Sequence, residues 1–251
     1  MDDAVHDLEM AAALGWRAPD EARLGEWLLR AAEGFTGRAN SALAVGDAGS
    51  PLDETVGAVR DWYAARGLPA MIAVPYATGR PDSSDVDRFL GARGWTIRSG
   101  AATVMTASPE RIAGSAALEG AASVRLGAEP DVEWLSLYGR DLPAIARRLL
   151  VSAPWQAFVR IEVEGGTAAI GRLAGSGQWA GITAVEVDPR FRRRGLGTAI
   201  TAVLAAQAVE RGVRALYLQV EDDNDAARAL YRRAGFSEHH GYHYRVAPAA
   251  H

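Results

Sequence analysis

The sequence of 251 residues contains no cysteine and no lysine, so its permanently basic side chains are all arginines. Without thiols the chain cannot form a disulfide framework, a thiolate zinc site or a cysteine nucleophile. It also lacks long hydrophobic runs, since no stretch approaches the roughly 18 apolar residues typical of a membrane span. The acidic segment 1–10 does not resemble a signal peptide. These absences predict a cytoplasmic protein without a membrane partner.

Charge and length limit the possible partners and the domain number. Acidic residues number 31 against 27 basic ones, which gives a formal net charge of −4. This balance argues against nucleic acid as a partner, because phosphate binding favours a basic surface. With 49% hydrophobic residues, the chain has enough apolar material for one large core or two ordinary ones.

Two regions with regular strand and helix periodicity lie on either side of segment 108–123, which lacks such periodicity and is rich in alanine, glycine and serine. We predict one domain at 1–110, a linker at 111–121 and a second domain at 122–251. The second alternates between strand and helix periods, which indicates an α/β or α+β fold with a mixed central sheet flanked by helices. Its predicted strands are 121–126, 156–163, 168–173, 179–187, 215–220 and 236 onward, and its helices are 131–138, 143–151, 196–211 and 226–234.

A loop rich in arginine and glycine joins strand 179–187 to the following helix and carries the clearest chemical signal. Its sequence is Val185-Glu-Val-Asp-Pro-Arg-Phe-Arg-Arg-Arg-Gly-Leu-Gly-Thr198. The two glycines allow a ligand to approach the backbone, and a helix N-terminus offers unpaired N–H groups to an anion. The pattern favours a phosphate or pyrophosphate site, although a solvated arginine run before an ordinary helix is the alternative. It matches neither a Walker loop nor a Rossmann fingerprint.

A second segment follows one strand later, at 218–236: Leu-Gln-Val-Glu-x-x-Asn-x-Ala-Ala-x-x-Leu-Tyr-x-x-Ala-Gly-Phe. Together the two segments resemble the GNAT superfamily of N-acetyltransferases over roughly 122–246. The resemblance implies that acetyl-CoA binds in a V-shaped opening between the parallel strands 179–187 and 215–220. The cofactor-binding residues that it implies are Val185, Val187, Arg192, Arg193, Arg194, Gly195, Leu196, Gly197, Thr198 and Asn224.

The resemblance also implies catalytic residues. Tyr231 matches the tyrosine that protonates the departing CoA thiolate, and a phenol with a pKa near ~10 suits that function. The general base is less evident, because the stretch Gly181-Ile182-Thr183 lacks the glutamate that some family members have there. Glu186 is our candidate base, Glu162 is a second, and a water-mediated base would leave no residue signature.

The first domain resembles a degenerate copy of the second. Helix 52–66, strand 70–75 and helix 85–92 repeat the order of the later elements, which suggests an internal duplication and a tandem pair of GNAT-like halves. Any helix–strand–helix stretch could show the same order. This copy has no arginine at 47–52 and Leu90 in place of Tyr231, so we expect no acetyl-CoA binding there. An intrachain pair slightly favours a monomer over a homodimer.

The sequence does not assign a single function to two groups of polar residues. His239, His240 and His243 lie close in sequence, but without cysteine or a matching acidic ligand we expect surface or acceptor-pocket residues rather than a metal site. Arg38, Asn40 and Ser41 lie in a strand-like stretch, 34–43, and either face the acceptor site or form a solvent-facing strand edge.

We therefore expect an N-acetyltransferase that transfers the acetyl group of acetyl-CoA to a primary amine of a small molecule or a protein, without a metal. One alternative is a non-catalytic acyl-CoA-binding or sensor protein, which the missing base would favour. Another is an enzyme similar to mycothiol synthase, whose tandem layout this chain resembles. The acceptor amine and the acyl-chain preference do not follow from the sequence.

Overall fold

The computed structural model describes residues 3–81, 84–115, 122–139 and 141–249. Its helices are α1 Asp3–Gly15, α2 Leu52–Ala64, α3 Asp85–Gly91, α4 Pro109–Ala113, α5 Val132–Tyr138, α6 Ala144–Leu150, α7 Leu196–Glu210 and α8 Asp225–Ala234. Its strands are β1 Asp20–Leu24, β2 Trp27–Ala31, β3 Ala42–Leu43, β4 Met71–Ala77, β5 Thr96–Ile97, β6 Ala102–Ala107, β7 Ser123–Gly127, β8 Trp155–Val163, β9 Gly166–Ser176, β10 Trp179–Val187, β11 Ala215–Glu221 and β12 Ser237–Val246. The described helices include none that is long and apolar enough to cross a membrane.

The described residues divide into two compact units whose boundaries differ from the predicted domains. The first unit takes residues up to 104, then 221–223 and 238 onward, and the second takes 105–220 and 224–237. Most of β12 therefore belongs to the first unit, because it pairs along its length with β4. Part of the predicted linker is helix α4, whose Ile112 is fully buried in the core of the second unit. Residues 116–121 of that linker lie outside the described residues.

The second unit has the sheet order β11-β10-β9-β8-β7. β10 and β11 are parallel, and the remaining pairs are antiparallel. Neighbouring residues of β9 show which helices cover each face, because side chains alternate along a strand. A Cβ at Gly171 would touch Leu204 and Ile200 of α7, whereas Arg172 donates its Nε–H to the carbonyl of Leu150 at the end of α6. Hence α7 and α6 cover opposite faces of this sheet.

The first unit repeats this plan with shorter strands. Its sheet has the order β1-β2-β3-β4-β12, and β5 pairs with β12. β3 and β4 run parallel over two residue pairs, as β10 and β11 do over three in the second unit. Its core is a cluster of buried apolar side chains from β2, α2, β4 and α3 that includes Trp27, Val59, Tyr63, Ile72 and Leu90. The order α2-β4-α3-β5 parallels α7-β11-α8-β12, in agreement with the predicted duplication.

The predicted strand at 34–43 is mostly wrong, since only Ala42–Leu43 form a strand. Asn40 is buried, and its side chain accepts from the backbone N–H groups of Ala32 and Gly34. Its amide also donates to the carbonyls of Phe35 and Thr36, so it holds this loop together. Ser41 is fully buried and hydrogen-bonds Arg30. Neither Asn40 nor Ser41 lies on a solvent-facing strand edge.

Two of the three histidines of β12 are buried. His240 and His243 are 0% and 2% exposed, which contradicts the surface alternative of our expectation and leaves the acceptor-pocket alternative a prediction. The Nε2 atom of His240 lies 2.8 Å from Oε1 of Glu9 in α1, and Nε2 of His243 lies 2.5 Å from Oδ1 of Asp87 in α3. Among the described residues, no group of three or more His, Cys, Asp or Glu side chains could hold a metal ion.

Asp87 accepts hydrogen bonds from both His243 and Arg245 in the first unit. Replacing it tests how much these bonds stabilise that unit. Burial alone would raise its pKa, but hydrogen bonds from Arg245 and His243 outweigh burial and lower the pKa below its usual range. Asp87→Ala leaves Arg245 and His243 without their shared carboxylate, so we expect a loss of about 3–5 kcal/mol in the free energy of unfolding. Urea denaturation at pH 7 measures it.

The control for this variant is Asp85→Ala on the same helix. Asp85 forms an exposed ion pair with Arg88, for which we expect at most about 1 kcal/mol. The pKa of Asp87 is lower in the folded than in the unfolded state. Its contribution to the free energy of unfolding is therefore complete above the unfolded-state pKa and is lost as the pH falls through the folded-state pKa. The two variants should therefore converge in stability under acid conditions; an Asp87→Ala protein as stable as the control at pH 7 would contradict this account.

Candidate active site

The two parallel strands of the second unit part after a short paired stretch. Within the described residues, β10 and β11 pair over Trp179–Ala215, Ala180–Leu216 and Gly181–Tyr217. Beyond these pairs, β10 continues to Val187 and β11 to Glu221. The strands thus form the V-shaped opening that the family resemblance implies, with its vertex at Gly181 and Tyr217.

A β-bulge reshapes the arm of the V that β10 forms. The register with β9 shifts between Thr183 and Glu186, and Ala184 adopts a left-handed backbone with φ of 53°. Bulges of this kind are common beside active sites because they change the direction of neighbouring side chains. Glu186 pairs with Ile170, which lies two residues from Arg172, so the exposed Glu186 carboxylate lies on the α6 face of the sheet.

The loop after β10 brings backbone N–H groups and two arginines to the mouth of the V. Asp188 caps a single 3-10 turn at Pro189–Phe191 by accepting from the N–H of Arg190 at 2.9 Å. The hydrogen bond from the Arg190 side chain, followed by this backbone bond, lowers the pKa of Asp188. Gly195, with φ of 75°, is the N-cap of α7 and supplies no side-chain cap. The first turn of this 15-residue helix therefore has N–H groups available to an anion.

A cleft of about 530 Å³ lies along this loop, the first turn of α7 and one face of α8. Eight of the residues that the family resemblance assigns to the cofactor line it: Val185, Val187, Arg192, Arg193, Gly195, Leu196, Gly197 and Thr198. Arg194 does not, since its guanidinium lies 3.4 Å from Glu164 and 5.3 Å from the centre of the Phe191 ring. Asn224 is also outside the lining, and its side chain caps α8 by accepting from Ala227.

Sequence reasoning missed the α8 side of the cleft. Ala226, Ala227, Leu230 and Arg233 line it together with Tyr231. Ala226 and Leu230, like Ala227 and Tyr231, are four residues apart, so they lie on one helix face. This spacing is visible in the sequence and could have indicated the face. Leu230 also lies against the first turn of α7, because a Cβ at Gly197 would lie 2.9 Å from its Cδ1 atom.

Tyr231 has the environment of a phenol that stays protonated. It lines the cleft, is 9% exposed, and its ring packs edge-on against Phe236 at 5.7 Å. Burial, followed by the negative charge of Glu186, raises the pKa of Tyr231 to about 12. The structure thus brings the two predicted catalytic residues within electrostatic range, although Glu186 is not among the lining residues.

The cleft suits a ligand with a phosphate at one end and a slender, mostly apolar arm. The uncapped α7 N-terminus and two arginines supply positive charge at the outer end. Space beside Gly195 is open, with no heavy atom within 4 Å of a Cβ placed there. Towards the inner end, the walls are the side chains of Val185, Val187 and Leu230. An acyl-CoA molecule has this distribution of charge and apolar groups.

Comparison with known proteins identifies the family. A family model described as "Probable histone acetyltransferase Rv0428c C-terminal" matches residues 3–245. The chain belongs to this family. Over 256 residues this GNAT-type acetyltransferase is 27% identical to the N-acetyltransferase YobR of Bacillus subtilis (strain 168), covering 98% of this chain and 99% of YobR. The resemblance drawn from the two sequence segments is thereby confirmed.

Solved structures show that the GNAT fold extends over the whole chain. A GCN5-related N-acetyltransferase from Kribbella flavida superposes with a TM-score of 0.73 at 18% identity, covering 98% of this chain and 96% of that one. A tandem GNAT protein from the clavulanic acid biosynthesis pathway gives a TM-score of 0.70 at 15% identity, covering 97% and 89%. The acetyltransferase is thus a tandem pair of GNAT-like halves, as the sequence predicts.

Proposed function

We propose that the second unit binds acetyl-CoA in the cleft and transfers its acetyl group to a primary amine. The observation that supports this most strongly is the alignment of three features along one cleft: the uncapped α7 N-terminus, the parting of β10 from β11, and the buried phenol of Tyr231. An anion site alone would suit many ligands. Only a ligand that reaches from that site to the strands would use all three.

The proposed chemistry is direct attack on the thioester. The neutral amine nitrogen forms a bond to the carbonyl carbon, and the carbon–sulfur bond breaks. The departing thiolate takes the proton of the Tyr231 hydroxyl, which remains available at neutral pH because its pKa is raised to about 12. The attacking nitrogen also loses one proton, which passes through the base to the Tyr231 phenolate and restores its hydroxyl, so that the products are the amide and the CoA thiol.

We propose Glu186 as the acceptor of that proton, through a water molecule. This carboxylate is exposed on the α6 face beside the V. For Glu186→Gln we expect kcat to fall by about 100-fold, with the KM for acetyl-CoA within about threefold of the wild type. Glu164→Gln, which removes an exposed carboxylate that pairs with Arg194, is the control and should keep kcat. If kcat of Glu186→Gln stayed within twofold of the control, Glu186 would not be the base.

The composition of the chain makes the transfer assay direct. Because the protein has no cysteine, a thiol reagent detects only the CoA that the reaction releases. Because it has no lysine, self-acetylation of side-chain amines cannot contribute. The amine panel should contain polyamines, aminoglycosides and, since the family description names histones, a lysine-containing histone-tail peptide. CoA release that depends on one amine, with that product confirmed by mass spectrometry, would support the proposal.

A non-catalytic acyl-CoA binder is the second candidate. The absence of a carboxylate at Gly181–Thr183 favours it, whereas the buried phenol in the cleft does not. Acetyl-CoA binding without CoA release for any amine in the panel would favour this candidate.

A further inference from the structure

The cleft of the second unit is lined by three arginines that have no acidic partner. Arg192 and Arg193 line it from the loop after β10, and Arg233 lines it from α8. Within the described part of the chain, no carboxylate forms an ion pair with any of the three. By contrast, the two other arginines of the loop pair with carboxylates and lie outside the lining. The cleft therefore presents three positive charges that an anionic ligand would neutralise.

The spacing of residues along α8 shows which end of the cleft Arg233 faces. Arg233 follows Leu230 by three residues, so the two side chains lie on the same side of the helix. Leu230 lies against the first turn of α7, since its Cδ1 atom is 2.9 Å from a Cβ placed at Gly197. Tyr231 is two residues from Arg233 and therefore lies on a different side of α8. Arg233 thus belongs to the side of α8 that faces the α7 N-terminus and not to the side of the buried phenol.

CoA carries phosphate at two separate places. One is the pyrophosphate between the pantetheine arm and the adenosine, and the other is a monoester on the 3′-hydroxyl of the ribose. In the proposed function, the α7 N-terminus and the two loop arginines bind the pyrophosphate. Arg233 comes from a different element and has no anion assigned to it. A phosphate monoester, with about 1.5 to 2 negative charges at pH 7, is a suitable partner.

The geometry points to Arg233 as the residue that recognises the second phosphate: we propose that its guanidinium binds the 3′-phosphate of CoA and makes the protein prefer CoA to 3′-dephospho-CoA. This inference rests on the proposed function and names a specificity-determining residue of the same site. A guanidinium suits the phosphate because it donates two parallel N–H bonds to its oxygens. The exposed side chain of Arg233 is free to turn towards the ligand.

The test compares the affinities of CoA and 3′-dephospho-CoA, which differ only in this phosphate, by calorimetric titration of the full-length protein at low ionic strength. For the wild type we expect CoA to bind at least about tenfold more tightly, as one charge-assisted pair provides. Arg233→Ala should bring the two affinities within about threefold of each other by weakening CoA alone. Arg233→Lys keeps the charge without the paired N–H groups and should show an intermediate preference.

Arg232→Ala is the matched control, because it removes the same charge from the next position of α8, outside the cleft lining. It should keep the wild-type preference for CoA. Both side chains are exposed, so both variants should fold, and their melting temperatures without ligand check this.

Three results would overturn the assignment of Arg233 alone. They are equal wild-type affinities for the two ligands, an unchanged ratio in Arg233→Ala, and an equal loss of preference in Arg232→Ala. An Arg233→Ala protein that binds both ligands more weakly by the same factor belongs to the second case, since it would place Arg233 on the pyrophosphate. A wild-type protein that binds neither ligand would overturn the proposed function as well.

Discussion

Tyr231→Phe is expected to lower kcat by about 100- to 10,000-fold, the range over which a positioned proton donor accelerates a reaction. The substitution keeps the ring and its contact with Phe236, and it removes only the hydroxyl that would protonate the thiolate. The affinity for acetyl-CoA should change little, because the α7 N-terminus and the three cleft-lining arginines, Arg192, Arg193 and Arg233, are untouched. The measurement is CoA release at saturating acetyl-CoA with the best amine of the panel.

The control for Tyr231→Phe removes a buried phenol elsewhere. Tyr63 in the first unit donates its hydroxyl to the carbonyl of Arg30 at 2.8 Å. Tyr63→Phe should reduce stability by about 1 kcal/mol and leave kcat unchanged. If both variants kept wild-type kcat, Tyr231 would not be the proton donor, and its burial would reflect packing alone.

Gly197→Glu has the second large expected effect, a loss of at least about 100-fold in affinity for acetyl-CoA, because it blocks an anion site at a helix N-terminus. Its Cβ would press on Leu230, and its carboxylate could occupy the positive helix end that a phosphate requires. Acetyl-CoA at saturating concentration should raise the melting temperature of the wild type and leave that of the variant unchanged.

The matched control for this variant is Gly57→Glu in α2. It adds the same charge to a helical glycine with no heavy atom within 4 Å of the new Cβ, and it lies in the first unit. We expect this variant to be stabilised by acetyl-CoA as strongly as the wild type. A Gly197→Glu protein that acetyl-CoA stabilises as well as the control would show that the ligand does not use the α7 N-terminus.

Local patterns predicted the second unit well because its elements carry strong periodic signals. The bounds of β10 agree at both ends, and α7 ends within one residue of its predicted end. Helix α1 was missed, since its alanine-rich sequence and weak apolar face resemble a polar N-terminal segment. The short strands β3 and β5 have two residues each, too few to show alternation, and only tertiary pairing with β4 and β12 specifies them.

The anion site could be predicted from the sequence, because its backbone requires glycines and a helix N-terminus. The directions in which its side chains point could not be predicted. Glycines and arginines before a helix indicate an anion site in any fold. Which arginines face the cleft depends on the turn at Pro189–Phe191 and on a left-handed Arg193 with φ of 63°, which together direct Arg194 towards Glu164. The close contact of Tyr217 with Gly181 at the vertex could not be predicted from the sequence, because it arises from the pairing of β10 with β11.

Equilibrium dialysis of the full-length wild-type protein against labelled acetyl-CoA tests the central claim most directly. The account predicts one site per chain, with a dissociation constant on the order of micromolar. One site is expected because the first unit has no arginine in its loop at 47–52, the counterpart of the loop rich in arginine and glycine in the second. Two sites per chain would contradict the assignment of the first unit as the degenerate copy. No binding at all would contradict the claim that the cleft of the second unit is an acetyl-CoA site.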